Sequence, residues 1–150
     1  MSSIDMVQPR LRAFTLILIW IAFAGWVTAI WTLSSIPGSR IPSLPFPEAD
    51  KVAHACLYAL GAFILAAALR RALPGGKPIA LNSAALVIMI ALGVLDEVHQ
   101  LGTPGRSGGD LFDLSADAIG AALGIGFFHI LHALRHPRSH HNSPGADRAA

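Results

Sequence analysis

The stretch AFTLILIWIAFAGWVTAIWTL, residues 13–33, decides the fold. It carries no charge. About 20 apolar residues in a helix cross the hydrocarbon core of a bilayer. A secretory leader is the competing reading, with Arg10 and Arg12 as its basic start. A leader's apolar run is about 7–15 residues and ends in small residues before cleavage. Here the run is longer, and Trp26, Trp31 and Leu33 occupy its end. The expectation is an uncleaved membrane anchor.

Three more apolar stretches follow: 52–69, 79–95 and 111–134. The second and third spans are short but bounded by charge. The fourth carries Asp113 and Asp117 in its first two turns. Helices are expected, because backbone groups in lipid must be satisfied within their own segment. Composition agrees. Of 150 residues, 53% are hydrophobic and 13% charged, where a soluble domain carries about 25% charged residues. Mean hydropathy is +0.56. These values exclude disorder. The lone Cys56 excludes an internal disulfide and a cysteine-based zinc site. A formal charge of +2 is too small to imply nucleic acid. The expected architecture is an all-α integral membrane protein, a compact bundle of four transmembrane helices. Residues 1–12 are read as a cytoplasmic segment, 13–134 as the transmembrane domain and 135–150 as a flexible His/Pro-rich cytoplasmic tail.

Lys and Arg set the orientation. Arg10, Arg12, Arg70, Arg71, Lys77, Arg135, Arg138 and Arg148 fall on one side; Arg40, Lys51 and Arg106 fall on the other. Both termini are therefore expected in the cytoplasm, in a multi-pass protein of the inner (cytoplasmic) membrane. The acids do the reverse: only Asp5 and Asp147 share the basic side. A polar centre is thus expected near the outer surface. Residues 34–50, with Pro37, Pro42, Pro45 and Pro47, read as an extended outer loop. Pro74-Gly75-Gly76 makes a short inner turn, and 102–109 a second outer loop. His132, His136, His140 and His141 would bind zinc only as one helix face, which Pro137 interrupts.

Polar residues gather at the outer ends of spans two to four. Span two opens with Asp50, Lys51, His54 and Tyr58, the last three on one helix face. Span three ends with Asp96, Glu97, His99 and Gln100, and span four opens with Asp113 and Asp117 at i, i+4. On the stripe below lie Gly120 and Gly124, with Ala116 beside them. Small residues spaced by four let a neighbouring helix approach closely, so both carboxylates are expected to face the interior. Plain structural readings exist for several of these groups. Asp110 and Asp113 suit the positive end of a helix, but Asp117 lies a turn too deep to cap. His99 reads as a water-facing, incidental histidine. Asp96 and Glu97 sit at a helix end whose dipole disfavours acids, which points to a purpose beyond helix stability. Arg106 is the only cation of its loop; its planar fork either counters the acids or takes an anion.

These residues resemble the VanZ-like family of small bacterial membrane proteins. The resemblance rests on Ser34-Ser35-x-Pro37, Asp50-Lys51-x-x-His54-x-x-x-Tyr58, Asp96-Glu97-x-x-Gln100, Pro104-Gly105-Arg106 and Asp113-x-x-x-Asp117-x-x-Gly120. It covers residues from about 30 to 125. Each motif is weak by itself; together, in order, they are specific. Departures are slight: relatives often carry Asn at the position of Asp117, and Ser107-Gly108-Gly109 is a small loop. The family takes its name from a protein giving low-level resistance to the glycopeptide antibiotic teicoplanin, so the resemblance implies a cell-envelope role.

Three functions remain open. The first is a binding or modulating protein that holds an envelope lipid, a lipid-linked precursor or a glycopeptide at Lys51, His54, Tyr58, Asp96, Glu97, Gln100, Arg106, Asp113 and Asp117. In it Lys51 and Arg106 take phosphate, and the acids take amines or a bridging cation. The second is a membrane-embedded enzyme in which Glu97 or Asp117 is the base and a divalent cation is bound by carboxylates and His54. Nucleophile-elbow, Cys–His, phosphate-loop and HExxH patterns are absent from the sequence. The third is transport, which needs polar relays at depth. The inner halves of spans one to three are apolar, with Asn82 as the only amide, and His129 and His132 lie on span four.

Overall fold

The structure is a computed structural model and describes residues 3–41, 46 and 48–135, with side chains from Gln8 onward. Expectations for Pro42, Pro45, Pro47 and the tail histidines His136, His140 and His141 lie outside the described residues. The chain forms four helices, α1 (Ser3–Ser34), α2 (Ala49–Ala72), α3 (Pro78–Leu101) and α4 (Leu111–Arg135). All four are long and apolar enough to cross a membrane. Each outruns its apolar stretch, because helical hydrogen bonding continues through polar residues at the ends. α3 therefore includes Asp96, Glu97 and Gln100 in its last two turns.

The helix ends follow local chemistry. Pro78 opens α3, where its missing N–H is no loss. α2 stops at the Pro74-Gly75-Gly76 turn, where Gly76 N–H donates to Leu73 O and Arg70 Nη1 to Gly76 O. Asp110 caps α4, accepting the Phe112 N–H at 2.8 Å. Thr15, Thr28, Thr32, Ser35 and Ser115 return their hydroxyls to the carbonyl four residues earlier, which satisfies them without water. The 34–50 loop differs from the fully extended segment expected: Gly38–Arg40 makes one 3-10 turn. Pro37 supplies its fixed φ just before that turn, a place proline tolerates.

α2 and α4 are the closest pair. Cβ atoms at Gly120 and Gly124 would collide with the backbones of Ala55 and Ala59, so the small stripe brings the two helices to near backbone contact. α3 packs on this pair through Ala85 and Met89, with Tyr58, Ala62, Leu65, Ala66, Ala121 and Ile125 in the same core. α1 is peripheral. It leans on α2 and α3, and touches α4 nowhere among the described residues. Its anchor is Trp26, which packs on Gly61 and donates Nε1–H to Leu57 O at 2.9 Å. Large apolar side chains such as Ile17, Ile21, Val87, Leu123 and Ile130 lie exposed on the outside, as a lipid-facing surface requires.

Candidate functional site

The antiparallel order brings the end of α1, the start of α2, the end of α3 and the start of α4 to one end of the bundle. There the structure buries Ser34, Tyr58, Asp96, Glu97, Gln100, Asp113 and Asp117, and half-buries Lys51, His54 and Arg106. Asp113 and Asp117 face the interior, at 5% and 0% exposure.

Lys51 is held by carboxylates. Its Nζ lies 3.1 Å from Asp113, 3.2 Å from Asp50, 3.5 Å from Asp110 and 3.7 Å from Glu48. With its donors so engaged, Lys51 neutralises the acids at the start of α4. Asp110 gains from both its cap bond and this lysine. The Phe112 N–H, with Lys51 second, holds its carboxyl below the ordinary carboxylate range.

Deeper in, His54 Nδ1 lies 3.0 Å from Asp117 Oδ1. Asp96 accepts from the Ser34 hydroxyl and, at 2.9 Å, from Gln100 Nε2. Gln100 in turn accepts Arg106 Nε–H at 3.2 Å. Glu97 Oε2 accepts the Asp110 backbone N–H at 2.8 Å. No ion pair to an acid is formed by Arg106 among the described residues, so its fork is not spent on the acids. Three buried polar atoms have no hydrogen-bond partner among the described residues: Tyr58 OH, Glu97 Oε1 and Asp117 Oδ2. A histidine and two acids, His54, Asp96 and Glu97, stand close enough together to share a metal ion.

A cavity of about 570 Å³ opens on this cluster. Ile30, Leu33, Ile36, Ile41 and Leu57 give it an apolar wall; His54, Tyr58, Asp96, Gln100 and Asp113 give it a polar floor. Arg40 and Arg106 are its cations. A larger cleft of about 810 Å³ lies between α1 and α4 at the opposite end, lined by Arg12, Arg70, Arg71 and Arg135 over apolar side chains. Its lining holds no carboxylate, and His132 is its one imidazole.

Three participants escaped the first reading. Ser34 and Arg40 belong to the cavity, and His99 is tied in rather than incidental. His99 stacks on Trp31 at 4.4 Å and meets Ser35 Oγ at 2.8 Å. The signal was present in Ser34-Ser35, two hydroxyls ending an apolar span. At the far end His129 Nε2 pairs with Asn82 Oδ1 at 2.8 Å, which satisfies both groups where water is scarce.

The glycines of the loops fix how the pieces meet. A Cβ on Gly38 would strike Gly105 O, and Gly38 N–H donates to Pro104 O at 2.9 Å, so the two polar-end loops are stitched together. Gly109 has φ of +81°, a conformation that side chains resist; it turns the Asp110 N–H onto Glu97. No curated protein and no solved structure matches the chain. The family model described as VanZ/LLP1 matches residues 2–132, and with it all four helices nearly end to end; the chain belongs to the VanZ/LLP1 family.

Proposed function

We propose that the polar end faces outward from the inner membrane, with both termini cytoplasmic, and that its cavity binds the phosphate-bearing head of a membrane-anchored envelope lipid or lipid-linked precursor. The observation that carries this reading is the cavity's two-sided lining. One apolar wall suits a lipid chain, and Arg106, without an acid partner among the described residues, sits over a polar floor. Arginine's fork matches phosphate oxygens in two places. Orientation is supported by the basic residues at the other end, Arg12, Arg70, Arg71 and Arg135, since cytoplasmic flanks carry the excess of Lys and Arg. Holding or presenting such a lipid would alter the target of a glycopeptide and so its tolerance.

The test is binding of a polyprenyl phosphate to the purified protein in detergent, read by tryptophan fluorescence, since Trp31 stacks on His99 beside the cavity. Losing one charge-assisted contact in Arg106→Ala should weaken binding about tenfold or more. Equal binding of the uncharged polyprenol would refute the phosphate reading. For orientation, a cysteine at the exposed Ser39, in a Cys56→Ala background, should react with an impermeant maleimide in intact cells. Reaction only after lysis would reverse the topology.

A second reading has its own observation. His54 oriented by Asp117 on the cavity floor is the arrangement of a positioned general base. Release of inorganic phosphate from the bound polyprenyl phosphate, lost in His54→Gln, would mark the protein as an enzyme rather than a binder.

A further inference from the structure

The deepest part of the cluster is out of electrical balance. Asp96, Glu97 and Asp117 are 2%, 4% and 0% exposed. None of them pairs with a lysine or arginine among the described residues. Their partners are neutral donors, namely the Ser34 hydroxyl, the Gln100 amide and the Asp110 N–H, together with one imidazole. Lys51 is already surrounded by four other acids, and Arg106 reaches Asp96 only through the Gln100 amide. A carboxylate taken out of water has to be paired, hold a metal or take up a proton.

Ligand-capable atoms of His54, Asp96 and Glu97 all lie within 4.8 Å of one another. Donor atoms sharing one ion with bonds of about 2.0–2.2 Å lie roughly 3–3.5 Å apart, so small side-chain adjustments suffice. A second observation points the same way: Glu97 Oε1 is fully buried and has no hydrogen-bond partner among the described residues. Its sister oxygen is occupied by the Asp110 N–H, which leaves Oε1 as the atom in need of a partner.

The histidine is prepared for this role. With Asp117 ionised the bond runs from His54 Nδ1–H to Asp117 Oδ1, which leaves Nε2 of a neutral ring for a metal. Metal-binding histidines are commonly oriented in this way, by a carboxylate on the other ring nitrogen. Gly93 completes the fit. A Cβ there would come to 3.0 Å from Asp117 Oδ2, so the absent side chain leaves room for Asp117 one turn below Glu97.

We infer that His54 Nε2, Asp96 and Glu97 bind one divalent transition-metal ion at the floor of the cavity, with Asp117 as the residue that positions His54. One imidazole with two carboxylates favours Zn²⁺ or Mn²⁺. Ca²⁺ takes 6–8 oxygens and Mg²⁺ prefers oxygen and water. Three protein ligands leave positions open toward the cavity, where an oxygen of an anionic head would complete the shell. The inference deepens the lipid-binding reading by giving its phosphate a second partner beside Arg106. It rests on that reading only for this last contact.

The experiment uses the full chain, purified in detergent without lipid on a histidine-free affinity tag and stripped with chelator. His136, His140 and His141 are replaced by Ala, so that the tail does not bind the ions. Zn²⁺ and Mn²⁺ are titrated by calorimetry, and Mn²⁺ is examined by pulsed electron paramagnetic resonance. One ion per chain is expected, with one imidazole nitrogen coupled to Mn²⁺. His54→Gln should abolish that coupling, and Glu97→Gln should weaken uptake at least tenfold. Asp117→Asn, acting through the ring, should weaken it about 10–100-fold. Glu48→Gln, exposed just before α2 and outside the cavity lining, should leave it unchanged. If Glu97→Gln does not fold, His54→Gln and Asp117→Asn carry the same test. No stoichiometric uptake, or uptake indifferent to all three changes, overturns the site. No lipid is present, so that failure leaves the phosphate reading standing, and failure of polyprenyl phosphate binding leaves the metal site standing.

Discussion

Glu97→Gln separates a charge kept for binding from a charge kept for stability. In the fold Glu97 gives one oxygen to the Asp110 N–H at 2.8 Å and leaves the other unpartnered. A glutamine keeps that acceptor and turns the orphan oxygen into a donor facing acids. It also removes one of two neighbouring negative charges. Ligand-capable oxygens of Glu97 and Asp96 lie within 4.8 Å, where like charges repel by about 3 kcal/mol at an effective dielectric constant near 20. Proton uptake and residual solvent relieve part of that, so a gain of about 1–3 kcal/mol is expected in metal-free protein. For a chain of this size each kcal/mol moves the midpoint roughly 2–4 °C. Thermal unfolding in detergent, with chelator and then with Zn²⁺, reads both sides. With chelator the variant should melt higher than the parent; with Zn²⁺ only the parent should rise. A variant that melts lower than the parent in chelator by more than about 1 kcal/mol would refute the reasoning, because Glu97 would then be one half of a stabilising pair.

Three further outcomes follow from other parts of the site. Lys51→Met leaves the buried Asp113 without its cation; breaking such a pair costs about 3–5 kcal/mol when fully buried, and with Lys51 at 24% exposure the lower end is expected, read as a fall in the melting midpoint that Lys51→Arg largely restores. Asp110 works through its ionised form. Its carboxyl is held below the ordinary value, so its stabilisation is complete above the unfolded pKa near 3.9 and is lost as pH falls through the lower folded value. The difference in melting midpoint between parent and Asp110→Ala should be constant above about pH 5 and shrink below pH 4; a difference that grows on acidification contradicts the assignment. Gly124→Val places a branched side chain against Ala59, whose carbonyl carbon already lies 2.8 Å from an ideal Cβ. Backbone cannot yield as a side-chain tip does, so the cost should exceed the about 1–3 kcal/mol of ordinary overpacking, while Gly126→Val, at a position open on all sides, should be near neutral in detergent melting.

How much of this was legible in the sequence varies with the kind of signal. The four spans were readable because lipid leaves the chain one simple option, and an uncharged run of sufficient length states it. That a neighbour approaches α4 closely was readable from Gly120 and Gly124, whose small size at helical spacing permits it; that the neighbour is α2 was not. Lys51 was harder. Its place among Glu48, Asp50, Asp110 and Asp113 depends on the start of α4 lying against the start of α2, and spacing along one helix cannot reveal that. Ser34 and Arg40 were missed because a hydroxyl closing a span and a cation in a Pro-rich loop look ordinary until α1 is laid beside α3. The orphan oxygens of Glu97 and Asp117 are legible in no sequence, because an unmet hydrogen bond exists only in three dimensions.

The two ends of α1 are held very differently, and this bears on how a lipid would reach the cavity. At the polar end α1 is fastened by Trp26 to Leu57, by Ser34 to Asp96, by Ser35 and Trp31 to His99, and through Gly38 to Pro104. Beyond Trp26 toward its start, it borders the 810 Å³ cleft instead of a helix, with Arg12, Leu16 and Ile19 facing α4 across it. Local stability follows buried contacts and bonds, so the end of α1 that carries Ile30 and Ser34 is expected to open less readily than the half before Trp26. The tight α2–α4 seam meanwhile keeps His54 and Asp117, which sit one on each helix, at a fixed distance. The rigid pair thus sets the His54, Tyr58 and Asp113 part of the polar floor, while Asp96 and Gln100 reach it from α3. On the proposed function, a lipid chain would lie along the Ile30 and Leu33 wall and leave the His54–Asp117 pair across the α2–α4 seam in place.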